Sequence, residues 1–228
     1  MSVRSSALAV ALLSSTAVLA ADQVRVNDPA PFTGPASGAP GHWSVATGET
    51  VSPGRDALSF ELGWPGVSFG YLHGLSDRAD VGVKFDLLYA FENTTSSHLG
   101  FGLGVPLRLV VNRREKLLIG LHFDPGLRVY TQGGSADLVM RLPVGAVLGI
   151  QATPELRIAA TADLNLGVQL LHTAFLEVGP QFGFAVEYFV DRNLLVGLSM
   201  KFGPQFYSFA GSNAEFAFST LVVVGYRL

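Results

Sequence analysis

The chain has 228 residues, 49% hydrophobic and 14% charged, with a formal net charge of −3. That balance leaves no basic footprint for nucleic acid, and the absence of Cys excludes structural disulfides and thiolate metal sites. Mean hydropathy is high at +0.38, yet after residue 20 no apolar run is long enough for a membrane-spanning helix.

The first residues read as a secretory signal. Arg4 supplies the charged start, Ala7 to Leu13 a short apolar run, and Val18-Leu19-Ala20 a small-residue cleavage site. Ser14, Ser15 and Thr16 interrupt the run, which argues against a membrane anchor. Residues 1–20 are therefore expected to be removed and the protein exported. Residues 21–56 hold Pro29, Pro31, Pro35, Pro40 and Pro53 among Gly and Ser, a composition that buries little surface. Two fates compete for this stretch: a free, irregular periplasmic leader, or a plug inside a barrel mouth. Only Trp43 and Val45 offer packing handles, which favours the leader.

From Arg78 to Leu228 the chain alternates. Val81, Val83, Phe85, Leu87 and Tyr89 are apolar, while Asp80, Gly82, Lys84 and Asp86 between them are not. A strand sends successive side chains to opposite faces, so this pattern has one apolar and one wet face. Ten strands are expected, at 57–64, 67–75, 79–91, 98–111, 116–131, 137–151, 155–169, 174–189, 193–209 and 215–228. Short turns such as Pro65-Gly66, Ser76-Asp77-Arg78 and Asp191-Arg192 separate them, which makes each neighbouring pair a hairpin. Eight or twelve strands would result if the weak first hairpin were misread. Over residues 78–228 the apolar face has roughly sixty positions and carries no Asp, Glu, Lys or Arg. At 14% charged composition about eight charges would fall there by chance. A strand of thirteen residues, at about 3.3 Å per residue and a tilt of about 40°, spans roughly 33 Å, enough for an outer-membrane apolar band of about 25 Å. An even-numbered sheet with apolar residues outside can close on itself and hide its edges. The expected fold is an all-β, closed, antiparallel up-and-down transmembrane barrel over 57–228.

Aromatic residues on the apolar face gather toward the strand ends, as amphipathic rings do at water interfaces. Trp64, Tyr89, Phe91, Phe206, Phe216 and Phe218 lie near one end, and Tyr71, Tyr188 and Tyr226 near the other.

With its export signal, hairpin-linked amphipathic strands, and turns such as Leu75-Ser76-Asp77-Arg78 and Thr153-Pro154-Glu155-Leu156, the chain resembles the small outer-membrane β-barrel proteins of Gram-negative bacteria, the broad OmpA-like and OmpW-like group. Members of that group usually end in an aromatic residue. This chain ends in Leu228, with Tyr226, Val224 and Val222 alternating before it. The resemblance implies both termini in the periplasm, with loops 92–97, 132–136, 171–173 and 210–214 outside the cell. It also implies outer-membrane lipid, lipopolysaccharide and the barrel-assembly machinery as partners.

The wet face carries Glu61, Asp80, Lys84, Asp86, Arg108, His122, Asp124, Arg128, Arg141, Arg157, Asp163, Glu177, Glu187 and Lys201. Charges in a narrow lumen must be paired or hydrated. They form either a salt-bridged core that stiffens the barrel or the lining of a narrow aqueous path for small solutes. Inward glycines, among them Gly102, Gly104, Gly145 and Gly183, favour open space or allow the strands to curve. His122 and Asp124 share a face about 7 Å apart, with Arg128 nearby. Arg108 and Arg141 on flanking strands suit pairing with Asp124 better than joint metal binding. Pro125 cannot donate to the ladder and predicts a kink.

No catalytic residue, metal ligand or cofactor is expected. A lipid-modifying enzyme would need a nucleophile and base at the outer rim. His98, His172, Ser96, Ser97 and Ser212 lie there without a spacing that joins them. A conduit for a small hydrophobic ligand through a lateral gap is a further alternative, because Pro125, Pro143 and Pro204 could interrupt the wall. The expected function is that of an outer-membrane barrel, structural or a narrow passive pore.

Overall fold

The computed structural model describes residues 43–90, 97–132, 135–171, 176–208 and 214–228. Thirteen strand segments follow in order: β1 (Asp56–Trp64), β2 (Gly66–Ser76), β3 (Ala79–Ala90), β4 (Ser97–Gly104), β5 (Leu107–Arg114), β6 (Leu117–Phe123), β7 (Gly126–Gln132), β8 (Ser135–Arg141), β9 (Val144–Gln151), β10 (Leu156–Gln169), β11 (Leu176–Phe189), β12 (Leu194–Tyr207) and β13 (Ala214–Arg227). They make ten staves, because β4 with β5, β6 with β7, and β8 with β9 each form one interrupted course. Every pairing is antiparallel, and β1 pairs with β13 from Ala57↔Arg227 to Trp64↔Thr220, which closes the ring.

The three interruptions fall at Val105-Pro106, Asp124-Pro125 and Leu142-Pro143. Proline has no N–H for the ladder, so the regular pattern breaks at each one. The kink expected at Pro125 is present, and Pro106 and Pro143 repeat it on neighbouring staves. The wall does not open there. Gly82 N donates to Pro106 O (2.9 Å), Val105 N to Pro125 O (2.8 Å) and Asp124 N to Pro143 O (2.9 Å). Pairing on the β13 side of Pro204 is also continuous. On its other side Pro204 faces Pro180, and the β11–β12 pairing is interrupted between Val178↔Phe206 and Phe182↔Phe202 with the register unchanged. Both strands carry Gly-Pro-Gln-Phe at that point (179–182 and 203–206). Gln181 and Gln205 are buried behind the break, with Gln205 packed over Gly179. The prolines therefore do not favour a lateral conduit.

The apolar face points outward. Val83, Phe85, Leu87 and Tyr89 on β3 are exposed, while Asp80, Asp86 and Leu88 are buried inside. The same alternation runs through Leu117–Phe123 and Val144–Ile150. An exterior of Leu, Val, Ile and Phe, with no open sheet edge, suits hydrocarbon as its solvent. This is a transmembrane barrel of the outer-membrane type.

Tyr71, Tyr188 and Tyr226 are exposed toward the end that holds the chain terminus Leu228. Tyr89, Phe206, Phe216 and Phe218 are exposed toward the opposite end. Trp64 is half-buried there, edge-on to Tyr89 at 5.8 Å and stacked on Phe218 at 6.1 Å. Phe91 lies outside the described residues.

Candidate functional site: a plugged, charge-bridged lumen

The terminal end of the barrel is filled from inside. Residues 43–51, which follow no strand ladder, are folded into the lumen, and Trp43, Ser44, Thr47 and Val51 are fully buried. This part of the stretch expected as a free leader is therefore a plug. Residues 21–42 lie outside the described residues. Trp43 meets Phe189 edge-on at 6.1 Å within a cluster that includes Leu72, Leu195, Val223, Ala57 and Val51. The strand residues of this cluster face inward, against the polar trend of the lumen. Those apolar residues on the wet phase of β1, β2, β11, β12 and β13 were the sequence signal for a plug.

Polar groups latch the plug. Glu187 is 0% exposed, and its carboxylate accepts Val45 N (2.8 Å), Ala46 N (2.7 Å) and the Thr47 hydroxyl (2.5 Å). Three donors on one carboxylate satisfy a charge that would otherwise be costly to bury. Asp80 accepts Val51 N at 2.8 Å and is held bidentately by Arg108, whose remaining nitrogen donates to Ser44 O (2.9 Å) and Val45 O (3.1 Å). Glu49 of the plug pairs with Arg113 and lies 3.5 Å from Arg157. Three guanidiniums (Arg108, Arg113, Arg157) thus meet two carboxylates (Asp80, Glu49) at this level, while Glu187 is held by the plug itself.

Beyond the plug lies a cavity of about 270 Å³, floored by Val45, Ala46 and Gly48. Lys84, Asp86, Arg108, His122, Asp124, Arg128, Arg141 and Lys201 reach its lining. Lys84 pairs with Glu61 at 2.8 Å, and Arg128 with Asp86 at 3.3 Å. Arg141 lies 3.9 Å from Glu177. Asp163 takes His122 at 2.5 Å and Lys201 at 3.0 Å.

Three of these pairs span a strand, each over a glycine. Asp86 and Arg128 both sit opposite Gly102, His122 and Asp163 opposite Gly145, and Arg141 and Glu177 opposite Gly167. A Cβ at Gly145 would collide with both bridging side chains, one at Gly167 with Glu177, and one at Gly102 would press closely on Asp86 and Arg128. These glycines are filled positions, crossed by ion pairs, and not the open space that their number suggested.

Likeness to known proteins is confined to solved structures. No family model matches the chain, and no curated protein matches it. It is similar to a solved structure described as "KdgM porin in complex with disordered oligogalacturonate", at 11% identity and a TM-score of 0.39, covering 76% of this chain and 97% of that one.

Asp124 departs from expectation. Neither Arg108 nor Arg141 pairs with it, since they go to Asp80 and Glu177. Among the described residues Asp124 makes no ion pair or side-chain hydrogen bond. His122 turns away from it to Asp163. The rim residues Ser96, His172 and Ser212 lie outside the described residues, and nothing is described of the Ser97 and His98 side chains.

Proposed function

We propose that this protein is an outer-membrane barrel that acts as a narrow pore, closed at its periplasmic end by residues 43–51. The observation that carries this reading is the sequence of layers along the lumen: a polar cavity, then a plug latched by the buried carboxylates of Glu187 and Asp80 and by Arg108. Sixteen strands leave an open aqueous channel, and eight leave an interior filled by side chains. Ten staves leave room for both a cavity and a stopper. The orientation, with termini in the periplasm, and the removal of residues 1–20 follow from the resemblance and the signal pattern. No reaction is assigned to the barrel. Its neighbours are lipid and lipopolysaccharide outside, small solutes inside, and the assembly machinery during insertion.

Planar-bilayer recording at high salt tests the reading. The wild type should be nearly silent with rare steps. Glu187→Ala leaves Val45 N, Ala46 N and Thr47 without their acceptor, and should raise the open fraction at least tenfold. Silence in both, and also after deletion of residues 43–51 in a folded barrel, would make the lumen a structural core. The lining cations tune the open state through their partners. Neutralising Lys84 or Arg128 frees Glu61 or Asp86, so the reversal potential should move toward cation preference.

A further inference from the structure

The cations around the cavity are committed: Lys84 to Glu61, Arg128 to Asp86, Arg141 to Glu177, and Lys201 to Asp163. The uncommitted groups are of a different kind. Asn165 and Gln181 are 6% and 4% exposed, both line the cavity, and neither side chain has a hydrogen-bond partner among the described residues. Thr161 lines it too, and its buried hydroxyl has no partner. Asp124 completes the set.

Their placement is fixed by register. Thr161, Asp163 and Asn165 follow one another on the inward face of β10, and Gln181 lies directly across from Asp163 on β11. Asp124 reaches the same wall through the bond from its N–H to Pro143 O, next to the Val144↔Leu164 pair. Neither amide bonds within the protein, and both keep a little accessible surface in the cavity, so their donors and acceptors are open to whatever fills it. Two such amides lining one cavity, with the unpartnered Thr161 hydroxyl beside them, mark a binding site.

The chemistry selects its occupant. The lining carries five cations, Lys84, Arg108, Arg128, Arg141 and Lys201, so an ammonium group there is opposed. A free anion meets Asp124 itself. What remains is an uncharged molecule with several groups that both donate and accept, as the amides, the carboxylate and the hydroxyl require. We infer that the lumen holds a binding site for a small neutral polyol about the size of one sugar ring, gripped by Asn165, Gln181, Thr161 and Asp124. A cavity of about 270 Å³ lies just below the usual range of about 300–1,000 Å³ for drug-sized ligands, which suits such a molecule.

The inference rests on the pore reading only for how solute reaches the site. Calorimetric titration of the full chain, refolded in detergent, measures binding without needing conduction. D-glucose should bind saturably, at least tenfold tighter than gluconate or glucosamine, its anionic and cationic counterparts. Asn165→Ala and Gln181→Ala should each weaken glucose binding by about fivefold, the worth of one hydrogen bond. Asp124→Asn should bring gluconate to within a few-fold of glucose. Asn165→Asp keeps the shape but removes the N–H donors, and serves if the alanine variant fails to fold. No saturable heat from glucose on the folded wild type, tighter binding of gluconate, or unchanged affinity in both amide variants would each overturn the site. Binding without conductance in the wild type, in Glu187→Ala and after deletion of residues 43–51 leaves the site standing and removes the pore. Conductance without glucose binding does the reverse.

Discussion

His122 and Asp163 belong to strands that do not touch, and they meet at 2.5 Å above Gly145 of the strand between them. Asp163 is 1% exposed, so the pair is effectively out of water. Gly145→Ala would place a methyl group against both side chains. Lys201 remains 3.0 Å from Asp163, so the loss is one buried hydrogen bond with local overpacking, roughly 1–3 kcal/mol. Gly145→Ala should therefore lower the urea unfolding midpoint of the detergent-refolded protein by a corresponding amount. Gly104 is the control. A Cβ there would meet only Pro125 O, at 3.5 Å, so Gly104→Ala should stay within about 0.5 kcal/mol of wild type. Equal losses at both positions would mean that glycine is needed for backbone curvature and not for the bridge.

The barrel was legible because its code is local. Period-two alternation places Val83, Phe85 and Leu87 outside and Asp80 and Asp86 inside, and short turns set the stave count. The lumen was less legible because its contacts depend on inter-strand register. Arg108 goes to Asp80, directly opposite it on β3, and leaves Asp124 alone. No single-strand pattern reveals that choice. The plug was misjudged for another reason. Residues 43–51 have loop composition, and their partners Leu72, Phe189, Leu195 and Val223 are scattered over four strands. Only the stave phase, which makes those apolar residues point inward, brings them together.

The two tryptophans report opposite sides of the wall. Trp43 is buried in the lumen, and Trp64 lies in the outer aromatic belt beside Phe218. In vesicles containing brominated lipid, Trp64 fluorescence should be quenched in the Trp43→Phe variant, and Trp43 fluorescence should persist in the Trp64→Phe variant. Equal quenching would place residues 43–51 outside the barrel. Trp43→Ala should cost roughly 3–5 kcal/mol, as is usual for a large aromatic removed from a core, and should expose residues 43–51 to added protease.

The turn at Asp191 predicts a pH effect. Its carboxylate accepts Asn193 N at 2.7 Å and Leu194 N at 2.8 Å, and these bonds hold its pKa below the usual value. A lowered folded-state pKa gives stability that is present above the unfolded value and lost as pH falls through the folded one. The difference in unfolding midpoint between wild type and Asp191→Ala should be full at neutral pH and should shrink on acidification below the carboxylate range. A difference that does not change with pH would mean that side-chain shape, and not the charge, organises the turn.

The seam between β11 and β12 is interrupted at Pro180 and Pro204. Ser208 N donates to Leu176 O, and counting in steps of two from that pair puts Pro180 and Pro204 at a hydrogen-bonded position where neither can donate. Two ladder bonds are missing from a region where no water replaces them. Pro180→Val restores one donor, and the double variant with Pro204→Val restores both. Each bond should add about 0.5–1.5 kcal/mol, so the double variant should unfold at higher urea than either single one. Valine also suits a lipid-facing strand position, because its branched side chain packs well on a pleated surface. If the double variant is no more stable than wild type, the proline rings must already fill the gap as well as a ladder would, and the break between Val178 and Phe182 is then a packed joint and not a weak point.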